Sequence, residues 1–400
     1  MRGAGGPPDI TARRTLILAL LLTGMCCGTL MGDERKTLAL KKISDLIIYQ
    51  DEKFYSAFPS LVARKNGEIL CAFRRAPDRR KLWGAPGPTH TDANSYLVLV
   101  RSKDAGETWT KDPELIFAHP LGGSQDPCMV QLKDGSIVCT SYGWALIPPE
   151  GIEKLTDTGK HPPYAFLGGH IMRSDDGGKS WKGPFVPPPM PGTSTKDALG
   201  NPVPVFNRGA MMQRADGTLY WAVASNDRKL NPTTTVHLMT SSDRGETWKY
   251  VCPIAADEKI TMNETSLIET KKGDILAFIR TAGFDDHLVL SRSTDGGKSF
   301  KWEDGKIVGH PYYALRLKDG RIFLIYGYRH EPFGIRARLL NPDCTDLADA
   351  PELVIRDDGG SGDLGYPWAA LLPDGKILVA YYFNIAQGTS FIGGSVVSVE

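Results

Sequence analysis

The 400-residue chain carries 47 lysines and arginines against 46 aspartates and glutamates, and a formal net charge of +1 gives no reason to expect a nucleic-acid partner. Apolar residues make up 41%, which excludes a disordered chain, while 43 glycines and 28 prolines point to many turns.

At the N-terminus, Arg13-Arg14 precede an apolar run from Leu16 to Leu22, followed by smaller or softer residues from Thr23 to Gly32. This is the layout of an export signal over residues 1–32, leaving 33–400 as one mature domain. The run is short for a bilayer span, so cleavage is favoured over a retained anchor, and no other membrane partner is expected. Beyond the signal lie Cys71, Cys128, Cys139, Cys252 and Cys344, an odd number without metal-ligand spacing. Buried thiols are the favoured reading, with a Cys128–Cys139 disulfide across one hairpin as the alternative, and no metal or other cofactor is required.

From residue 102 onward one octapeptide recurs, at Ser102–Trp109, Ser174–Trp181, Ser241–Trp248 and Ser293–Phe300, each fitting S-x-D-x-G-x-T/S-W/F. Each copy follows a short apolar strand, as at 96–100 and 287–290. The pattern suits a tight turn in which aspartate accepts backbone N–H groups, glycine supplies a positive φ, and the aromatic ring folds back onto the sheet. A second repeat sits between β-rich runs and ends on Gly67, Gly135, Gly217, Gly273, Gly320 and Gly375, mostly as Asn-Gly or Asp-Gly. These are hairpin turns. Six of them at blade-sized intervals predict an all-β, six-bladed β-propeller. The hairpin joins the first strand of each blade to the second, and the octapeptide joins the third to the fourth. Blade five has a degenerate copy at Asn341-Pro342-Asp343 and blade six has none. Residues 390–397 then supply the third strand of the last blade, and 43–49 its outer strand, closing the ring and removing exposed edges.

Both turn families share one face, so the start of each first strand and the end of each second strand share the other. Nine residues before the hairpin glycines stand Phe58, Asp126, Arg208, Glu264, Pro311 and Tyr366, odd residues for strand interiors but sensible ones for the rim of a polar pocket. Seven residues after them stand Arg74 in blade one and Arg280 in blade four, and nine after the fifth stands Arg329. The shared parity aims these three side chains alike. Three arginines, a carboxylate and a tyrosine are therefore expected at one mouth, with Asp126 and Arg208 paired across the rim.

The octapeptide matches the Asp box, and the whole mature chain resembles the sialidase (neuraminidase) superfamily of exo-acting glycoside hydrolases. Asn263-Glu264-Thr265-Ser266-Leu267, followed by Arg280, resembles the strand bearing the catalytic glutamate and its arginine. Gly365-Tyr366-Pro367 resembles the strand of the nucleophilic tyrosine, and Asp92 sits where that family places its acid/base, with His90 as the competing general acid. Phe58-Pro59-Ser60 resembles the Arg-Ile-Pro segment, but Ala57 stands in the arginine position. The family grips a substrate carboxylate with three arginines. Arg280 matches the second, Arg329 or Arg336 the third, and Arg74 on the neighbouring strand is the substitute for the first. The resemblance implies a six-bladed propeller of sialidase type that removes a terminal acidic sugar from a glycan with retention, Tyr366 attacking and Glu264 taking its proton. The same fold acting on another glycan, and a non-catalytic glycan- or protein-binding propeller, are the alternatives.

Overall fold

The computed structural model describes residues 39–80, 90–385 and 388–400, so the export signal expected over 1–32 lies outside the described residues. Six antiparallel sheets form the ring, and in blades 1, 3, 4 and 5 the strands follow chain order from the axis outward. Blade 1 runs through Phe54–Ala63, Ile69–Pro77, Tyr96–Ser102 and Glu114–Phe117. Blade 4 runs through Thr261–Glu269, Ile275–Ala282, His287–Ser293 and Lys301–Val308. Blade 6 comprises Gly365–Leu371, Ile377–Phe383 and Phe391–Val399, and the N-terminal strand Leu40–Tyr49 adds its outer edge, as the sequence led us to expect. Blades 2 and 3 depart from regularity at the axis. The first strand of blade 2 is broken into Gly123–Ser124 and Cys128–Gln131, and that of blade 3 shrinks to Met212–Gln213.

The core is divided among the joints between blades. Six apolar clusters join residues of neighbouring sheets, and together they run round the ring. Within blade 4, Ile275, Ala277 and Ile279 face blade 3, while Leu276 and Phe278 face blade 5. Alternate residues thus bury on opposite faces, which is why second strands such as Ile322–Tyr328 read as unbroken apolar runs rather than as alternation. The five described cysteines are all free thiols, and Cys71, Cys128, Cys139 and Cys344 are buried. No helix among the described residues is long and apolar enough to cross a membrane.

The turns are made as their residues dictate. All six hairpin glycines have φ between 85° and 97°. In each Asp box the serine hydroxyl donates to the aspartate, which in turn accepts the N–H and hydroxyl of the residue four positions on; Thr108 N–H lies 2.9 Å from Asp104 Oδ1. Trp109 Nε1 closes the first box by donating to the carbonyl of Gly106 at 3.0 Å. Boxes and hairpins meet on one face. Arg244 of the third box reaches Asp134 in the blade 2 hairpin at 3.2 Å, and Tyr220 donates to Gly296 in the fourth box at 2.9 Å.

The Thr108 hydroxyl and N–H, with the Ser102 hydroxyl, hold the Asp104 carboxyl down at about 2 against an ordinary 3.8. A depressed carboxylate stabilises the fold above its unfolded-state value and loses that contribution as pH falls through the folded one. Asp104→Asn is therefore expected to lower the urea midpoint at pH 6, with the gap from wild type closing between pH 4 and pH 2. A gap that persists at pH 2 would contradict this account.

Candidate active site

On the face away from the boxes, the inner strands open onto a cavity of about 430 Å³. Its floor depends on three β-bulges at equivalent places. Pairing of the first and second strands slips between Ala57 and Ser60 in blade 1, Met262 and Thr265 in blade 4, and Gly365 and Trp368 in blade 6. A bulge inserts one residue and re-aims its side chain, and the residues inserted include Phe58, Glu264 and Tyr366. Phe58 and Tyr366 hold left-handed backbone at φ 60° and 50°, a strain of about 1–3 kcal/mol each. Their rings meet edge to face at 4.7 Å.

Glu264 and Tyr366, only 8% and 7% exposed, meet across the axis. The tyrosine hydroxyl donates to Glu264 Oε1 at 2.5 Å, while Arg280 Nη1 donates to Glu264 Oε2 at 2.7 Å and to the tyrosine oxygen at 2.9 Å. Burial opposes the charge on Glu264, but the Arg280 cation and the Tyr366 hydroxyl outweigh it and hold the carboxyl below its ordinary value. Burial and the Glu264 charge push Tyr366 well above the ordinary tyrosine range, against Arg280 and Arg329. The trio is thus a neutral phenol hydrogen-bonded to a carboxylate, with a guanidinium on both. Arg280 Nε stays buried without a hydrogen-bond partner.

Arg329 stands beside them, its guanidinium 5.2 Å from the Tyr366 ring, donating to the Leu364 carbonyl at 3.1 Å and the Tyr382 hydroxyl at 2.9 Å. Tyr382 passes a hydrogen bond to Asp363 at 2.9 Å, which also accepts from Tyr55 at 3.0 Å. Asp126 lines the wall at 2% exposure, and burial with the nearby Glu264 charge pushes its carboxyl up to about 7 despite Arg208 and Arg74. His90 also lines the wall; burial and Arg74 lower its pKa. Among the described residues, no group of three or more His, Cys, Asp or Glu is placed to hold a metal ion.

Four expected residues lie elsewhere. The Asp92 carboxylate is held by both Nη atoms of Arg79 and accepts Asn94 N–H at 2.7 Å; its neighbours His90 and Thr91, not Asp92 itself, line the cavity. Arg74, opposite Ala57 in the strand pair, is fully buried behind the wall with its guanidinium 5.6 Å from the Tyr55 ring and 5.9 Å from that of Phe58. Arg336 sits on a third strand, off the axis, donating to the carbonyls of Pro332 and Arg356. Arg208 forms no ion pair with Asp126. Its Nη1 donates to the carbonyls of Phe58 at 3.3 Å and Pro127 at 3.4 Å, and its Nη2 to those of Pro59 at 3.0 Å and Tyr366 at 3.1 Å. From blade 3 it therefore ties the bulged starts of blades 1 and 6 to the broken strand of blade 2.

Tyr142 and Tyr382 were missed, yet the count that selects Arg74 and Arg280 also lands on them, seven residues after Gly135 and Gly375. Asp363 and His161 lie on connections, where strand counting has no purchase.

The BNR repeat-like domain matches residues 164–379. The chain belongs to the BNR repeat-like family. A solved protein of unknown function from Dyadobacter fermentans is 53% identical, with 90% of this chain and 100% of that one covered and a TM-score of 0.87. The Hadza microbial sialidase Hz136 shares the fold at 17% identity and TM-score 0.62, covering 88% of this BNR repeat-like chain and 68% of its own. The NanB sialidase of Streptococcus pneumoniae does so at 13% identity and TM-score 0.61, covering 88% and 70%. No curated protein sequence matches the chain.

Arg208→Met keeps the length of the side chain and removes the donors from four inner-strand carbonyls. It is expected to lower the unfolding free energy by about 3–5 kcal/mol, read from urea denaturation. A loss within error of zero would show that the axis does not depend on this guanidinium.

Proposed function

We propose that the chain is an exo-acting, retaining glycosidase of sialidase type whose nucleophile is Tyr366. The carrying observation is the 2.5 Å hydrogen bond from the Tyr366 hydroxyl to Glu264, bridged by Arg280 in the wall of the cavity. An anomeric carbon bearing a carboxylate repels an anionic nucleophile. A neutral phenol that passes its proton to Glu264 as it attacks avoids that repulsion. Arg280 stabilises the phenolate oxygen as charge develops and, with Arg329, offers donors to an acidic sugar. Water, giving its proton to the acid that served the leaving group, then cleaves the tyrosyl-glycoside, and the phenol recovers its proton from Glu264. Likeness in fold to proteins named as sialidases supports this reading, and an export signal over residues 1–32 would place the activity outside the cytoplasm.

The leaving oxygen needs a proton from Asp92, His90 or Asp126. If Asp126 gives it, kcat/KM falls as pH rises through about 7, because the acid must be protonated. The Asp92→Asn and Asp126→Asn variants separate the assignments: the true acid variant loses turnover on a natural glycoside but keeps it on an aryl glycoside with a good leaving group. Ala57, with Arg74 behind the wall and Asp363 on it, supports a second reading of the substrate: a sugar held by two arginines and hydroxyl acceptors rather than by three arginines.

The deciding experiment is hydrolysis of 4-methylumbelliferyl N-acetylneuraminide by wild type and by Tyr366→Phe. We expect the substitution to lower kcat on the order of a thousandfold or more. Equal turnover by both would sink the nucleophile assignment, and no turnover by wild type on any acidic glycoside would favour a binding propeller.

A further inference from the structure

The cavity does not end at the reacting trio. Tyr142, Trp144 and Glu264 also line a second hollow of about 170 Å³, which shares Asn226 and Thr234 with a third of about 450 Å³. Lys160 borders both the first and the third. Together the three make one cleft running from Tyr366 outward over blades 2 and 3.

Its makeup changes along its length. Nearest the trio the wall is aromatic and continuous: Trp144 and Phe166 lie 4.8 Å apart, Phe166 and Phe206 4.4 Å, and Tyr142 and Phe206 5.4 Å. Tyr142, Trp144 and Phe206 remain partly exposed. Such rings present apolar faces suited to the C–H face of a pyranose. Farther out, the lining becomes polar and cationic, with Thr158, Thr233, Lys160, Arg228 and Lys229. The carboxylates there are already committed. Asp227 accepts Thr195 and Lys229 N–H at 3.0 Å each and the Thr193 hydroxyl at 2.9 Å, while Asp157 pairs with Lys229 at 2.9 Å. Lys160 and Arg228 form no ion pair among the described residues.

The cleft is built by the long connections between second and third strands in blades 2 and 3. The second and third strands of blade 4 are joined by the short connection between Ala282 and His287. In blade 2 the corresponding connection spans 147–163 and carries its own strand, Lys160–His161, while blade 3 contributes 226–234.

Resting on the glycosidase reading above, we infer that this cleft holds the leaving-group side of an acidic oligosaccharide. The first sugar after the scissile bond stacks on Trp144, and a carboxylate or sulfate on a more distal sugar meets Lys160 and Arg228. The enzyme then acts at the end of a polyanionic glycan chain rather than on an isolated terminal sugar.

Calorimetric binding to Tyr366→Phe, with the probe recovered afterwards and checked by chromatography for cleavage, reads affinity whether or not Tyr366 is the nucleophile. The probes are tetramers of α2,8-linked sialic acid, of galacturonate and of chondroitin sulfate, each beside its short parent sugar, with cellotetraose as the neutral control. We expect at least one acidic tetramer to bind tenfold or more tighter than its parent, the gain falling with added salt. Arg228→Ala in the same background, at an exposed position outside the reacting cavity, removes most of that gain while leaving parent-sugar binding and the thermal midpoint unchanged. Trp144→Phe, which keeps the aromatic wall packed, weakens the tetramer by several-fold. Tetramers no tighter than their parents, cellotetraose binding as well as the acidic ones, or a gain that survives Arg228→Ala would each overturn the inference. Absence of sialoside turnover by wild type would instead count against the reading it rests on. A response to the sialic or galacturonic tetramer assigns the carboxylate as the recognised group, and a response to chondroitin sulfate but not to unsulfated chondroitin assigns the sulfate.

Discussion

A ring of sheets converging on an axis leaves six strand starts with backbone carbonyls facing one another, and something must satisfy them away from water. Here one guanidinium serves four carbonyls in three of the blades. Arg208, 2% exposed, crosses from blade 3 and donates to carbonyls of blades 1, 2 and 6. Two of those carbonyls belong to Phe58 and Tyr366, whose left-handed backbones require outside support. The planar fork of arginine serves several acceptors at once, which a lysine ammonium on a flexible stem does less well. Gly209 follows because a Cβ there would lie 1.7 Å from the Thr265 carbonyl, in the sheet to which Arg208 itself accepts a hydrogen bond from Thr265 N–H at 3.0 Å.

Above this plug the site is an electrostatic compromise. Burial works against every charge in it, so charges persist only in company: Glu264 with Arg280, and Arg329 with the Tyr382–Asp363 pair. Asp126 has no salt-bridge partner among the described residues, and burial moves it towards neutrality. The opposite face follows another rule. Its box aspartates stand near water and gain their depressed pKa values from short-range donors rather than from charge partners. One face thus supplies stability by local hydrogen bonding, and the other holds groups whose protonation is poised.

Much of this was legible in the residues. The box and the hairpin glycine are local devices, set by side-chain chemistry within eight residues and by positive φ, so their count and order predict the blades without tertiary information. Strand parity carried Glu264, Tyr366, Arg280 and Arg329 to one mouth because each lies a fixed number of residues from such a glycine. For Arg74 the same arithmetic gave a direction but not a depth, and its side chain is fully buried beside the Tyr55 and Phe58 rings. Arg336 and Asp92 were assigned by resemblance rather than by register, and both side chains are engaged by local partners.

Turn chemistry and period-two burial are written in short stretches of chain, and they alone determined six blades, their closure by residues 40–49 and the phase of each inner strand. What fills the axis was decided only when the ring closed, because Arg208 bonds to residues as many as 158 positions away. The aromatic and cationic cleft has the same origin. It joins connections from two blades with no common spacing in sequence, and only the packing of blade 2 against blade 3 brings Trp144, Asn226 and Lys160 to one surface.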